Sequence, residues 1–167
     1  MTLFEFNHIP WEEAFNALFS CCGSTSWANQ LVSKRPVKTI EELKSLSNFY
    51  WSKTEEKDWL EAFSHHPKIG DLNALEKKFA ATAGWASNEQ SSVNKADITV
   101  LKNLSQGNDA YWQKFGFIFI VCATGKTAIE MLDLLNLRIV NSREVEIKIA
   151  AAEQNKITNL RIDKLFT

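Results

Sequence analysis

The chain is poor in the residues that interrupt or staple a fold. Its 167 residues hold three prolines and six glycines, and Pro10, Pro36 and Pro67 all fall before residue 70. Long stretches without breakers predict helices. Cysteine is as sparse: Cys21, Cys22 and Cys122. An odd count with one adjacent pair excludes a disulfide framework, because neighbouring cysteines rarely meet the geometry of the bond. A reduced, cytoplasmic setting is expected. No apolar run is long enough to span a bilayer, and the longest, FGFIFIVCA, covers about half a membrane helix. The start, MTLFEFNHIPWEEAF, lacks the basic segment of a secretory signal. Formal net charge is -1, and no run of Lys and Arg occurs. Neither a nucleic-acid partner nor a membrane surface is expected. Histidine is as scarce as cysteine, with three in all, and two of them stand side by side as His65 and His66.

What is present is apolar substance. The hydrophobic fraction is 45%, and six tryptophans read as bulky core filling. Length and composition predict one domain over residues 1–167. The segment NHIPWEEAFNALFSCC reads as a first helix, with Pro10 in its first turn and Ala14, Phe15, Leu18 and Phe19 on one face. A short helix is expected from Ser26 to about Ser33, stopped by Pro36. Thr39 and Glu42 have capping-box spacing and open another. Thr54 and Lys57 are a half match ahead of EEKDWLEAFSHH. Asp71 to Gly84 reads as a helix between a capping aspartate and a terminating glycine. Ser87 to Gly107 is the next, and NDAYWQKFG a short separate one. FIFIVCA has strand composition but no partner strand, so a buried extended or buried helical course is expected. KTAIEMLDLLNLRIVNS places Ile129, Leu132, Leu135 and Ile139 on one face, and the last helix runs to about Leu160. The expectation is an all-α, single-domain bundle of about seven to eight helices.

Several motifs could carry chemistry. In SHHPKIGD, His66 precedes Pro67, which pushes its backbone out of the helical region. His65 falls in a last helical turn, where a positive imidazole suits the dipole. One reading is a polar helix stop. The other is an acid/base histidine fixed by a stiff turn, its ordinary pKa near neutrality. Adjacent histidines point apart, and four metal ligands cannot be named, so no metal site is expected. In ASNEQSSV, Ser87 and Gln90 form a capping box, and Glu89 lies in the first turn, oriented by a rigid element. Gly125-Lys126-Thr127 mimics the end of a phosphate loop, but Ile120 stands where that loop needs glycine. Arg161 lies between Leu160 and Ile162, beyond the expected helix end, where apolar neighbours could aim its guanidinium at a carboxylate.

In order along the chain, HHPKIGD, SNEQ, NDAYWQKFGFIFIVCATGKT and NLRIVNSREVEIKIAAAEQNKITNLRIDKL resemble the 2-oxo-4-hydroxy-4-carboxy-5-ureidoimidazoline (OHCU) decarboxylase family, the last step from urate to allantoin. The most specific parts are His66-Pro67, Ser87-x-Glu89-Gln90 and Phe115-Gly116-Phe117-x-Phe119. One departure is Thr124, where many members carry a basic residue. The resemblance implies an all-α fold, commonly a homodimer, acting on a small molecule without a cofactor. It implies His66 as the catalytic histidine and Glu89 as its acidic partner. Pro67, Ser87, Gln90 and Arg161 would contact the substrate, with the backbone around Phe119, Ile120 and Val121 lining the pocket. Two other classes compete with it. A non-enzymatic helical interaction module predicts exposed aromatic anchors. A metal-dependent hydrolase using His65 and His66 predicts bound zinc and loss of activity with a chelator.

Overall fold

Side chains that can satisfy free N–H groups mark most of the helix starts. The computed structural model describes residues 1–66 and 90–167, with the backbone alone for 90–97. Among the described residues there are eight α-helices and no strand. They are α1 (Leu3–His8), α2 (Trp11–Cys22), α3 (Thr25–Val32), α4 (Ile40–Trp51), α5 (Glu56–Ser64), α6 (Gln90–Phe115), α7 (Ala128–Arg138) and α8 (Arg143–Leu165). None of them is long and apolar enough to cross a membrane. The all-α expectation holds. The helix expected from Asp71 to Gly84 lies outside the described residues.

Boundaries differ from the expectation in instructive ways. Thr2 and Glu5 form a full capping box and start α1, a helix not foreseen, so Pro10 caps α2 from outside instead of standing within a longer first helix. Thr39 does cap α4, but Glu42 reaches back to the N–H of Lys38. Glu55 and Asp58 cap α5. Thr54 instead accepts a bond from the Trp59 indole and donates to Trp51 O. Gly107 does not end a helix: α6 runs through it to Phe115. The reason is packing, since a Cβ added at Gly107 would lie 2.8 Å from Leu135 Cδ2. The glycine is there for close helix approach, which offsets its poor helix propensity. The segment from Gly116 to Thr127 is neither helix nor strand.

The chain divides into two compact units. The first comprises Met1–His66, Ile120–Cys122 and Ile147–Thr167. Its core includes Phe6, Leu18, Trp27, Leu31, Leu43, Phe63 and Ile162, all at most 1% exposed. Two tryptophans sit within it as expected. Trp27 Nε1 donates to Ser47 O and Trp51 Nε1 to Ala151 O, so their polar ends are satisfied where they are buried. Trp11 and Trp112, by contrast, are exposed.

The second unit comprises Pro67–Phe119 and Ala123–Glu146. Phe115, Phe117 and Phe119 surround Tyr111, with ring centroids 4.5, 5.8 and 5.2 Å from it. The buried side of α7 is Met131, Leu135 and Arg138, while Ile129 is exposed. Ile129 stands on the first turn of α7, directly after the capping box of Thr127 and Glu130. Gly125 supplies a positive φ of 76° for the turn before it. The Gly-Lys-Thr run is therefore a turn and a helix cap.

Candidate active site

His66 is positioned by a helix that stops. The N–H groups of His65 and His66 bond Ala62 O and Phe63 O, a tightened last turn to α5. His65 is the C-cap residue, as its place in the sequence suggested. It is exposed, and its ring meets the Phe19 ring edge-on with centroids 4.9 Å apart. Beneath it lies Gly23, with φ of 81°, which ends α2 in the left-handed conformation. A Cβ at Gly23 would lie 2.9 Å from His65 Cβ. Glycine is required there twice, for its dihedral and for the closeness of the two helix ends.

From this turn the half-buried His66 places Nε2 2.5 Å from Oε1 of Gln154. Gln154 is fully buried on α8. Its Nε2 donates to Cys22 O at 3.2 Å and to Thr158 Oγ1 at 3.2 Å. The Thr158 hydroxyl donates to Gln154 O at 3.0 Å. Arg161 Nη1 donates to Cys21 O at 3.3 Å. Gln154, Thr158 and Arg161 follow at helical spacings of four and three, so α8 presents them along one side. The last carbonyls of a helix lack intrahelical partners. Those of Cys21 and Cys22 find theirs in Arg161 and Gln154, and the cation also suits the negative end of α2.

The two thiols of this turn are structural. Burial pushes both up, Cys21 above its ordinary value and Cys22 to about 12. A thiol so raised is a poor nucleophile at neutral pH. All three cysteines are free. The extended segment is tied down nearby: Cys122 N–H donates to Glu153 Oε2 at 2.7 Å, and Lys156 Nζ lies 2.6 Å from Glu153 Oε1. That backbone N–H is satisfied within the protein, as buried backbone groups generally are.

Of the residues singled out in the sequence, His66 and Arg161 are thus brought onto one framework, the last turn of α2 and one side of α8. Ile120, 2% exposed, and the half-buried Val121 belong to the same unit. Phe119 belongs to the other, where its ring packs against Tyr111 and lies 4.7 Å from the Arg138 guanidinium. Arg161 is inside α8 and not beyond it, because no glycine or proline follows to stop the helix before Leu165. Gln90 is the first residue of α6. Pro67, Ser87 and Glu89 lie outside the described residues. Gln154, Thr158 and Glu153 were not foreseen. The signal available for them was polar residues in register with Arg161 inside the long helix. Among the described residues, no three His, Cys, Asp or Glu side chains gather to hold a metal ion.

An imidazole fixed by a buried amide, on the same framework as a guanidinium, can exchange a proton with a small anion and hold it. The fold is all-α, and one framework carries a group able to exchange a proton and a group able to hold an anion. Comparison with known proteins supplies the family. The OHCU decarboxylase model matches residues 7–163, and the chain belongs to that family. It is 39% identical over 149 residues to the uric acid degradation bifunctional protein TTL of Arabidopsis thaliana, covering 88% of this chain. It spans 45% of that relative's length. It is 23% identical to the 2-oxo-4-hydroxy-4-carboxy-5-ureidoimidazoline decarboxylase of Haloferax volcanii, over 100% of this chain and 97% of the other. Among solved structures, a crystal structure of OHCU decarboxylase in the presence of (S)-allantoin superposes with a TM-score of 0.71. That chain is 39% identical, over 89% of this chain and 95% of its own length.

Proposed function

We propose that this chain, acting as one catalytic domain over residues 1–167, decarboxylates OHCU to (S)-allantoin in urate degradation. The family match supports the reaction. The single structural observation that carries the site is the bond from His66 to the buried Gln154, which holds an imidazole in one place.

Loss of CO2 breaks the bond between C4 and its carboxylate and leaves an electron pair on the ring. Many decarboxylases hand that pair to a bound cofactor. Here the substrate's own conjugated C=N and carbonyl take it up as an enediolate-like intermediate, so the reaction runs without a cofactor or metal. Arg161 orients the anionic substrate through the planar fork of its guanidinium. His66, paired with Glu89, takes the proton of the C4 hydroxyl as CO2 leaves. Protonation of the planar intermediate on one face then gives the (S) product. Pro67, Ser87, Gln90 and the backbone of Phe119, Ile120 and Val121 complete the contacts to substrate. The protein works as a cytoplasmic homodimer, with neither nucleic acid nor membrane as partner.

The test supplies freshly generated OHCU with a metal chelator present and follows optical rotation as allantoin forms. Rapid formation of the (S) enantiomer is the expected result. The spontaneous reaction is protonated from both faces, so racemic product at the background rate would overturn the proposal. Chelator-sensitive activity would point to the metal-dependent class instead.

A further inference from the structure

We propose that Gln154 is a positioning residue for His66, fixing its neutral ring as the Nε2–H tautomer so that the exchanged proton resides on Nδ1. The proposal rests on the acid/base role of His66 given above. The reasoning starts from the amide. The Gln154 side chain is buried at 0% exposure, so no solvent relieves a wrong contact. One end of it faces Cys22 O, a backbone carbonyl that can only accept. That end must be the NH2 group. The same group meets Thr158 Oγ1, whose own hydrogen is directed to Gln154 O, leaving its lone pairs to accept. Both amide hydrogens are therefore used, and the orientation of the amide is settled by the Cys22 carbonyl, which cannot reverse its role.

The carbonyl end, Oε1, is then the atom 2.5 Å from His66 Nε2. It is an acceptor only, so Nε2 must carry a hydrogen. In the neutral ring this leaves the lone pair on Nδ1. In the cation both nitrogens carry hydrogen, and Nε2 still donates to Gln154. Between the two states Nε2 keeps its proton, and the proton gained or lost is the one on Nδ1. A histidine's working nitrogen is commonly set in this way by the bond the other nitrogen makes. The arrangement also explains why the C-terminus of α2 belongs to the site, since Cys22 O anchors the amide that anchors the ring.

The tautomer can be read without any substrate. Long-range proton–nitrogen correlation spectra of the 15N-labelled full chain, at a pH where the imidazoles are neutral, should show His66 with a protonated Nε2 and a bare Nδ1. His8→Gln and His65→Gln variants assign the signals. A neutral ring protonated on Nδ1, or a rapidly exchanging mixture like free imidazole, would overturn the inference. Gln154→Met removes the acceptor at similar volume. It should lower kcat by about 10–100-fold, the scale of loss when the partner that orients a metal-bound imidazole is removed, with KM within about twofold, and release the ring to a mixture of tautomers. Unchanged kcat, or an unchanged tautomer in the folded variant, would equally refute it. If that variant does not fold, the wild-type spectrum still decides. The outcomes separate the two proposals. An Nδ1–H ring in an active enzyme removes the role of Gln154 and leaves the decarboxylase standing. An Nε2–H ring in a protein inert to OHCU removes the activity and leaves the tautomer standing.

Discussion

Two buried polar clusters share the helix α8, and they are built on opposite plans. Near its start, Glu146 is fully buried with both carboxylate oxygens occupied. Oε1 accepts from the Tyr111 hydroxyl and from Arg138 Nε at 2.7 Å, with Arg138 Nη2 at 2.6 Å, and Oε2 accepts from Asn141 Nδ2 at 2.8 Å. Burial, and then the bond to Glu146, push the Tyr111 hydroxyl well above the usual phenol range. The Tyr111 hydroxyl therefore keeps its proton, donating it to Glu146 and accepting from Arg138 Nη2 at 3.4 Å. Farther along the helix, the fully buried groups, Gln154 and Thr158, are neutral. That cluster ends in two half-buried ones, His66 and Arg161. Charges sealed from water and fully paired hold a fold together but have nothing left to offer a ligand. A neutral buried frame that ends in partly accessible titratable groups can hold those groups still where solvent or a ligand can reach them. The difference teaches where to look for chemistry. The ion pair is the stronger electrostatic feature, and the amide is the one that reaches a partly accessible titratable group.

The comparison is sharpest if each cluster responds in its own observable. His66→Ala should lower the rate by about two to four powers of ten, with the helical circular dichroism and the urea midpoint close to wild type. His65→Ala should be mild in the same assay. A loss as severe as that of His66→Ala would transfer the role to the wrong histidine. Glu146→Ala leaves Arg138 charged and buried at 8% exposure. It should cost about 3–5 kcal/mol of stability, seen as a large fall in the urea midpoint, and an Arg138→Met/Glu146→Leu pair should recover most of it. A Glu146→Ala protein as stable as wild type would erase the distinction between the clusters. Arg161→Ala should raise KM by about tenfold, near 1.4 kcal/mol of binding, with a smaller change in urea midpoint than Glu146→Ala causes.

The smallest effect is alkaline. Folding raises the Cys22 thiol from its ordinary 9.0 to about 12, chiefly by burial. Below about pH 9 folded and unfolded chains both keep that proton, and the contribution is fully present. Between about 9 and 12 the unfolded chain releases it while the folded one does not, so stability falls by up to about 1.4 kcal/mol per pH unit. Urea midpoints from pH 7 to 11 should therefore fall more steeply for wild type than for Cys22→Ala. Parallel curves would show that the thiol is not protected.

Local signals were the legible ones. The capping threonine of α4 and the stop at His65 are properties of adjacent residues, and adjacent residues are what a sequence displays. Gly107 was misread because a glycine's helix penalty is visible locally while the Leu135 side chain that needs the space is 28 residues away. Arg161 was set beyond the helix for a similar reason, since nothing local marks its end and Leu165 is where it stops. The candidate site was legible as residue types and as a family pattern. Its support was not. A buried glutamine looks like an exposed one until the carbonyl of Cys22, 132 residues earlier, is brought to its amide.

The end of α2 carries one further consequence. Helix ends ordinarily fray, opening with little free energy long before the molecule unfolds. Here the carbonyls of Cys21 and Cys22 are held by side chains of α8, and the closing glycine is covered by His65. The last turn of α2 can open only when Gln154 and Arg161 let go. In amide hydrogen exchange it should behave as part of the same cooperative block as the middle of α8, slow where a helix terminus is normally fast.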